Sequence, residues 1–175
     1  MGEDDVRVRR VVAAEAARMI DALSDVLVDC VEGGASVSFM QPMTHAKAAA
    51  FWRVVVDGVA RGERALLVAG DAHGVLGTVQ LILGLPENQP HRADVAKMLV
   101  HRRARRRGIG RRLLDALDVE ARREGRHVLV LDTVTGGDAE RLYARAGWQR
   151  VGEVPDYALM PDGAYCSTTF FFKYL

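Results

Sequence analysis

The spacing of apolar positions divides the chain into segments typical of strands and segments typical of helices. Residues 6–12 alternate apolar and basic side chains, which predicts a strand with one buried face. Apolar side chains then recur every three or four positions, which predicts two helices, Ala13 to Val31 and Thr44 to about Arg61. The same criteria predict strands over 64–70, 75–85, 94–101, 127–131, 149–154 and 165–173, and helices over 108–124 and 138–146.

This order of elements predicts one α/β domain over residues 1–175, with helices on both faces of a sheet. Residues 94–131 form a strand, a helix and a second strand, a unit that predicts a right-handed parallel crossover. The run His127–Leu131 is continuously apolar, as in a strand buried on both faces. Residues 132–137 and 155–163 are rich in polar residues and contain Gly or Pro, so they are predicted to be loops.

Composition excludes some classes of function but does not identify one. The 175 residues carry a formal net charge of +1 and are 49% hydrophobic, which is typical of a globular protein and not of a general polyanion binder. Cys30 and Cys166 lie far apart in apolar segments, which favours free thiols and no metal site. The acidic start differs from a secretion signal, and no apolar run has the length of a membrane span. We therefore expect a cytoplasmic protein.

Positive charge is concentrated between the strand that ends near Val100 and the helix that begins near Gly108. Seven arginines fall between Arg102 and Arg112, and Gly108 and Gly110 lie among them. A glycine-containing loop at a helix N-terminus presents free N–H groups to a phosphate, and arginine side chains neutralise its charge. The stretch predicts a diphosphate site, with a solvated basic face as the alternative.

Two sequence blocks resemble the signature of the GCN5-related N-acetyltransferase (GNAT) superfamily. The first is Arg105-x-x-Gly108-x-Gly110 between a strand and a helix. The second is the segment Ala139–Trp148, which has Tyr143 near its centre. The resemblance implies an α/β fold with a central mixed, mostly antiparallel sheet of about seven strands and about four helices on its two faces.

The resemblance also implies that acetyl-CoA is the cosubstrate and that the arginine-rich loop holds its diphosphate. The pantetheine arm would lie along the preceding strand and bind its main-chain atoms. Gly136 stands where many relatives have an asparagine, so Asp138 is expected either to contact the cofactor there or to cap its helix. The residues expected to bind the cofactor are Met98, Leu99, Val100, Arg105, Arg106, Arg107, Gly108, Ile109, Gly110, Arg111, Asp138 and Tyr143.

Four residues are candidates for the chemistry of acetyl transfer. Tyr143 matches the family's tyrosine, which implies a general acid near the thioester sulfur. The N–H of Leu99 is the candidate donor to the acetyl oxygen as negative charge develops on it. Asp94, at the start of the pantetheine strand, and Asp132, at the end of the apolar strand, are alternative general bases. Each of these carboxylates could instead simply accept a neighbouring N–H at a strand end.

The acceptor is predicted to be a primary amine on a small molecule, lined by residues 86–92 and 157–165. Short pieces of these segments are similar to tabtoxin resistance acetyltransferases, which implies an amino-acid-like, toxin or antibiotic acceptor. Glu87 and His91 are weaker candidates for binding it. A protein or peptide amine stays open as the alternative acceptor. Nucleic-acid binding, or acetyl-CoA binding without turnover, is less favoured, and we expect a monomer or a homodimer paired through the last strand.

Overall fold

The computed structural model describes residues 6–175, so the prediction for the acidic residues 1–5 lies outside the described part of the chain. A short 3₁₀ turn, Arg102–Ala104, precedes the fourth helix. The elements are β1 (Arg7–Val11), α1 (Ala13–Arg18), α2 (Ile20–Glu32), α3 (His45–Ala60), β2 (Arg64–Asp71), β3 (Gly74–Ile82), β4 (Arg92–Val100), α4 (Ile109–Arg123), β5 (Val128–Val134), α5 (Asp138–Arg145), β6 (Gln149–Leu159) and β7 (Tyr165–Tyr174).

The seven strands form one sheet in the order β1-β2-β3-β4-β5-β7-β6. Every neighbouring pair is antiparallel except β4 and β5, which run parallel. α4 lies between these two strands in the chain, so the predicted strand–helix–strand crossover is confirmed. The predicted α/β class, with a mixed and mostly antiparallel sheet, is confirmed as well.

The two faces of the sheet pack against different helices, because alternate strand residues point in opposite directions. Ala65 and Leu67 of β2 belong to a core cluster that includes residues of α4, such as Leu117, and of α5. Leu66 and Val68, the residues between and after them, belong to a second cluster with α2 and α3. Burying a leucine side chain of this kind contributes about 1.5–3 kcal/mol, so helices on both faces stabilise the sheet.

The helix predicted over 13–31 is divided into two, so residues 6–175 contain five α-helices. Met19 (φ −100°, ψ 4°) leaves the helical conformation, and its N–H donates to Ala16 O at 3.0 Å. This tight turn redirects the chain before Ile20, which the apolar spacing alone does not reveal. None of the helices within residues 6–175 combines the length and the apolar character needed to cross a membrane.

Two observed loops begin later than predicted, because pairing with β7 continues into the predicted segments. β5 extends to Val134, so Asp132 lies inside a strand and opposite Phe170 of β7. β6 extends to Leu159, and an irregularity between Val154 and Ala158 accommodates the proline in this edge strand. β5 is also not buried on both faces, because only alternate residues such as Leu129 are fully buried. Strand ends here are decided by the partner strand and not by local composition.

The parallel ladder between β4 and β5 is short, and this opens the sheet. Residues 92–94 of β4 pair with residues 128–130 of β5. β4 continues to Val100 beside β3, and β5 continues to Val134 beside β7, so the two strands diverge beyond the ladder. We call the gap beyond Asp94 and Val130 the strand split.

A bulge in β4 lies next to the strand split. Thr78 of β3 pairs with Leu99, whereas Gln80 pairs with Ala96, so two residues of β4 oppose one of β3. Lys97 is one of those two, and its φ of 51° lies in the left-handed region. The bulge reverses the alternation of side chains along β4, which places Leu99 in the second core cluster.

Candidate active site

At the end of β4, consecutive residues direct their main-chain N–H and C=O groups to opposite sides of the strand. His101 N donates to Leu76 O at 2.9 Å, and Thr78 pairs with Leu99 two residues further along each strand. Because narrow and wide pairs alternate in an antiparallel ladder, the Leu99 N–H faces β3, and the polar groups of Val100 face away from β3. The Leu99 amide therefore does not point into the strand split.

Two side chains donate hydrogen bonds to the main-chain oxygen of Val100, at the end of β4. Cys30 Sγ donates to it at 3.5 Å and Arg105 Nε donates at 3.2 Å. Burial raises the pKa of the Cys30 thiol, while Arg105 acts in the opposite direction. The thiol is thus a neutral, buried donor, which agrees with the sequence interpretation of a structural cysteine.

The start of α4 presents N–H groups that the described residues do not use. Gly108 has a φ of 73°, a left-handed conformation that favours glycine, and α4 begins at the next residue. The first helical bond is donated by Arg112 N to Gly108 O at 3.1 Å. The N–H groups of Ile109, Gly110 and Arg111 have no acceptor among residues 6–175, as expected for a helix N-terminus that can bind an anion.

The arginines of the loop divide into two groups. Arg105, Arg106 and Arg107 are exposed beside the N-terminus of α4, where the sequence placed a diphosphate. Arg102 instead binds Asp29 through its Nε at 2.9 Å, and Arg112 donates to the carbonyl oxygen of Val6. The second group ties the loop and α4 to neighbouring elements, so the local density of arginine overstates the number available to a ligand.

Arg111 and Asp138, both predicted to bind the cofactor, already have protein partners. Arg111 Nε lies 2.8 Å from Asp115 Oδ1 one turn later in α4. The side chain of Arg141 holds the pKa of the Asp138 carboxyl below its usual range, with smaller contributions from Arg106 and Arg105. Asp138 therefore lies close to the arginine loop, but it makes no side-chain cap on α5.

α5 packs against β5 and approaches the start of α4, and its Tyr143 is buried in the core cluster on that face of the sheet. A Cβ on Gly110 would come within 2.9 Å of Leu142 Cδ2, so glycine at this position permits the close approach of the two helices. Tyr143 is 5% exposed, and its ring centroid lies 5.8 Å from that of Trp148 and 6.1 Å from that of Phe171. Burial raises the pKa of Tyr143, and the charge of Asp132 raises it further, so the hydroxyl stays protonated at neutral pH.

Asp132 is an exposed carboxylate at the diverging part of β5. Thr168 Oγ1 lies 2.9 Å from Asp132 Oδ2 and donates to it or to Thr133 O, also at 2.9 Å. Among residues 6–175, no cation lies within ion-pair distance of Asp132. Because the same carboxylate affects the pKa of both Tyr143 and Lys97, it is electrostatically close to α5 and to β4.

Asp94, the other predicted base, has a different environment. Arg92 Nη1 donates to Asp94 Oδ1, and Arg92 also bonds the side chain of Gln89. Asp94 occupies the last paired position of the parallel ladder, at the point where the split begins. Its carboxylate is therefore neutralised by an arginine, whereas that of Asp132 is not.

A cavity of about 360 Å³ lies on the β5–β7 side of the split. Asp132 and Thr168 contribute polar groups to it, and Tyr157 belongs to the segment that the sequence assigned to the acceptor. The predicted loop 86–92, with Glu87 and His91, does not line it; the His91 ring instead lies 5.5 Å from that of His127. The remaining lining residues are Ser36, Ser38, Phe39, Met40, Thr133, Val134, Ala158, Leu159 and Cys166.

Two features of this cavity were missed by the sequence interpretation. The loop between α2 and α3 lines it, although its composition indicates only a connection. Lys97 Nζ lies 3.1 Å from Ser38 Oγ in that loop, which a bulge in β4 makes possible. Neither feature could be predicted from the local sequence, because each brings together residues that lie far apart in the chain.

Comparison with known proteins agrees with this geometry. Residues 61–150 match the family described as acetyltransferase (GNAT) domain, a region that spans β2 to α5 and contains the arginine loop. A GCN5-related N-acetyltransferase from Kribbella flavida is 25% identical, with a TM-score of 0.77 over 97% of this chain and 98% of that one. A ribosomal-protein-alanine N-acetyltransferase from Brucella melitensis is 24% identical, with a TM-score of 0.77 over 97% and 99%.

A third similar structure contains a ligand. It is described as an acetyltransferase from Salmonella typhimurium with its cofactor acetyl-CoA, and it is 20% identical to this chain. The TM-score is 0.78, with 98% of this chain and 94% of that one covered. These likenesses extend the shared fold to nearly the whole length of each protein.

Proposed function

We propose that this chain, which belongs to the GNAT family of N-acetyltransferases, moves the acetyl group of acetyl-CoA to an amine on a small molecule. The observation that carries the proposal is the strand split. It has a helix N-terminus suited to an anion at one side, and at the other a cavity with a carboxylate that forms no ion pair within residues 6–175. Residues 1–175 act as a single acetyltransferase domain.

The groups around the start of α4 fit the diphosphate of acetyl-CoA. Unused N–H groups at a helix N-terminus, a left-handed glycine and exposed guanidinium groups are suited to a dianionic ligand. Met98 and Val100 hold the pantetheine arm through main-chain atoms, and the main-chain N–H of Met98, the second residue of the bulge, is our candidate donor to the acetyl oxygen. Leu99 contributes side-chain packing instead, since its N–H faces β3. Acetyl-CoA supplies an acetyl thioester, which an amine can attack directly.

We assign proton transfer to Asp132 and Tyr143. Asp132 accepts a proton from the incoming ammonium, directly or through a water, so that the nitrogen can form its bond to the acetyl carbon. As the carbon–sulfur bond breaks, Tyr143 donates its proton to the thiolate, and the second proton of the amine is released to solvent. The proton held by Asp132 then returns to the Tyr143 oxygen through solvent, which restores both groups. Asp94 is the less suitable base, because its carboxylate is already paired with Arg92.

A small acceptor is favoured over a protein amine by the shape of the site. The cavity is bordered by the α2–α3 loop on one side and by β6 and β7 on the other, and its volume suits a molecule of amino-acid size. The resemblance of the C-terminal segment to tabtoxin resistance acetyltransferases supports a toxin or antibiotic with an amino-acid-like amine. A protein amine, as named for the Brucella melitensis structure, is the second candidate.

A thiol-release assay with acetyl-CoA tests this proposal. We expect saturable coenzyme A binding and release of free thiol with some members of a panel of amino acids, polyamines and aminoglycosides. A parallel assay with short peptides that have free N-termini tests the second candidate. Thiol release with peptides alone would refute the small-molecule acceptor, and no thiol release with any amine would refute acetyl transfer.

A further inference from the structure

Lys97 is a charged residue that the proposed mechanism does not use, and its position is unusual. It adopts a φ of 51° in the bulge of β4, a backbone conformation that residues other than glycine and asparagine adopt rarely. Its Nζ lies 3.1 Å from Ser38 Oγ, and it lies over the rings of Phe39 and Phe51 at 5.8 and 5.6 Å. The bulge therefore directs a cation toward the loop that lines the cavity.

No carboxylate of the described residues forms an ion pair with Lys97. Burial lowers the pKa of Lys97, Arg64 lowers it further, and Asp132 raises it. Within residues 6–175, neither Lys97 nor Asp132 forms an ion pair. Two opposite charges thus border the same cavity without meeting: Asp132 lines it directly, and Lys97 reaches its wall through Ser38 and Phe39.

A ligand that carries both charges would neutralise this arrangement. We infer that the acceptor is a zwitterion of amino-acid size, whose ammonium group binds Asp132 and whose anionic group binds Lys97 and Ser38. The inference depends on the acetyl transfer proposed above and names its acceptor class. Because Phe39 and Phe51 shield the lysine from water, an anion there gains more than it would at a solvated lysine.

This arrangement makes Lys97 a specificity-determining residue. A lone carboxylate would serve any amine, but the added cation favours amines that carry a carboxylate and disfavours those that carry a second positive charge. The acid–base step is unaffected, since Asp132 and Tyr143 perform it. The effect of Lys97 should therefore appear in KM and leave kcat nearly constant.

Matched acceptors test the inference with wild-type protein. Each amino acid is compared with its own primary amide, which keeps the α-amine and side chain and loses the carboxylate. The amide has the more readily deprotonated amine, so without anion recognition it should react faster. We expect at least tenfold higher kcat/KM for the amino acid in the pairs that turn over.

The variant Lys97→Met tests the residue, because methionine keeps most of the length and removes the charge. We expect KM for the amino acid to rise at least tenfold, kcat to change less than threefold, and the preference over the amide to disappear. Lys47→Met is the matched control: Lys47 also lies over the Phe39 ring, at 5.7 Å, but it is exposed. Its expected change is less than threefold. A coenzyme A thermal shift shows that each variant is folded.

Each other outcome overturns the inference in a recognisable way. Amides that react faster than their amino acids in wild-type protein would show that no anion is recognised, while acetyl transfer itself stands. A similar fall in kcat for both acceptors in Lys97→Met, with a shifted pH profile, would make the lysine a base. An equal effect of Lys47→Met would remove the assignment to Lys97. Coenzyme A binding without thiol release from any amine would overturn the proposed function too.

Discussion

The substitution Tyr143→Phe removes one hydroxyl from a buried ring and leaves its packing intact. The ring is 5% exposed and contacts Trp148 and Phe171, and phenylalanine retains both contacts. The free energy of unfolding should change by no more than about 1 kcal/mol, the usual net value of one hydrogen-bonding group. Urea denaturation measures this change. The variant should also keep the coenzyme A thermal shift of the wild type.

The expected fall in turnover is much larger than this change in stability. General acid catalysis contributes about 10²–10⁴-fold, and a thiolate is a good leaving group, with a thiol pKa near 8.5. We therefore expect the lower end, about a 100-fold decrease in kcat, which corresponds to ~2.7 kcal/mol. Burial raises the pKa of Tyr143, so the acid form is present at all pH values below the ordinary tyrosine value of about 10. Wild-type kcat should consequently show no alkaline decline below about pH 10.

The control is Tyr174→Phe, which removes a hydroxyl from an exposed tyrosine of β7 that does not line the cavity. Its kcat should stay within about twofold of wild type, since the surface group touches no part of the site. If Tyr143→Phe keeps more than a third of wild-type kcat on a confirmed acceptor, Tyr143 is not the general acid. An alkaline decline near pH 8 that Tyr143→Phe abolishes would contradict the raised pKa.

Three further changes separate cofactor binding, acceptor chemistry and stability. Gly108→Ala should cost about 1–2 kcal/mol at its φ of 73° and weaken coenzyme A binding in calorimetry, whereas Gly163→Ala, at a φ of 96°, should cost similar stability and leave that binding unchanged. Asp132→Asn keeps a side chain of the same size beside Thr168, and should lower kcat/KM for the amine at least tenfold in the thiol-release assay without altering coenzyme A binding. Leu117→Ala removes a fully buried side chain and should reduce the free energy of unfolding by about 2–5 kcal/mol in urea. Equal coenzyme A affinity in the two glycine variants, unchanged kcat/KM in Asp132→Asn, or a loss below 1 kcal/mol in Leu117→Ala would each contradict its premise.

The sequence predicted those helices and strands whose buried residues follow a regular pattern within the element itself. The amphipathic repeat of α4 and the continuous apolar runs of β2 and β3 were sufficient, because each pattern indicates which residues of the element are buried. The sequence did not predict the extension of β6 past Pro155, because proline and Asp156 are typical of loops and the strand is decided by β7. It also did not predict the break at Met19, where tertiary packing overrides a continuous helical repeat.

The candidate site likewise has parts that the sequence predicted and parts that it did not. The arginine loop and Gly108 are contiguous in the chain, so their arrangement at a helix N-terminus could be predicted from spacing. The contact between Lys97 and Ser38 joins residues 59 positions apart and depends on a bulge, which has no signature in a single sequence. Asp132 was identified as a candidate, but its lack of a cationic partner among the described residues is a property of the folded chain.

The exposed edge strand β6 has a consequence for how this protein can evolve. Tyr157 and Leu159 line the cavity from a strand that is hydrogen-bonded on one side only and has few buried side chains. Substitutions there change the acceptor wall at little cost in stability, since surface positions tolerate exchange. The arginine loop follows β4 on the other side of the strand split, so under the proposed function a new acceptor can be acquired while acetyl-CoA binding is inherited unchanged.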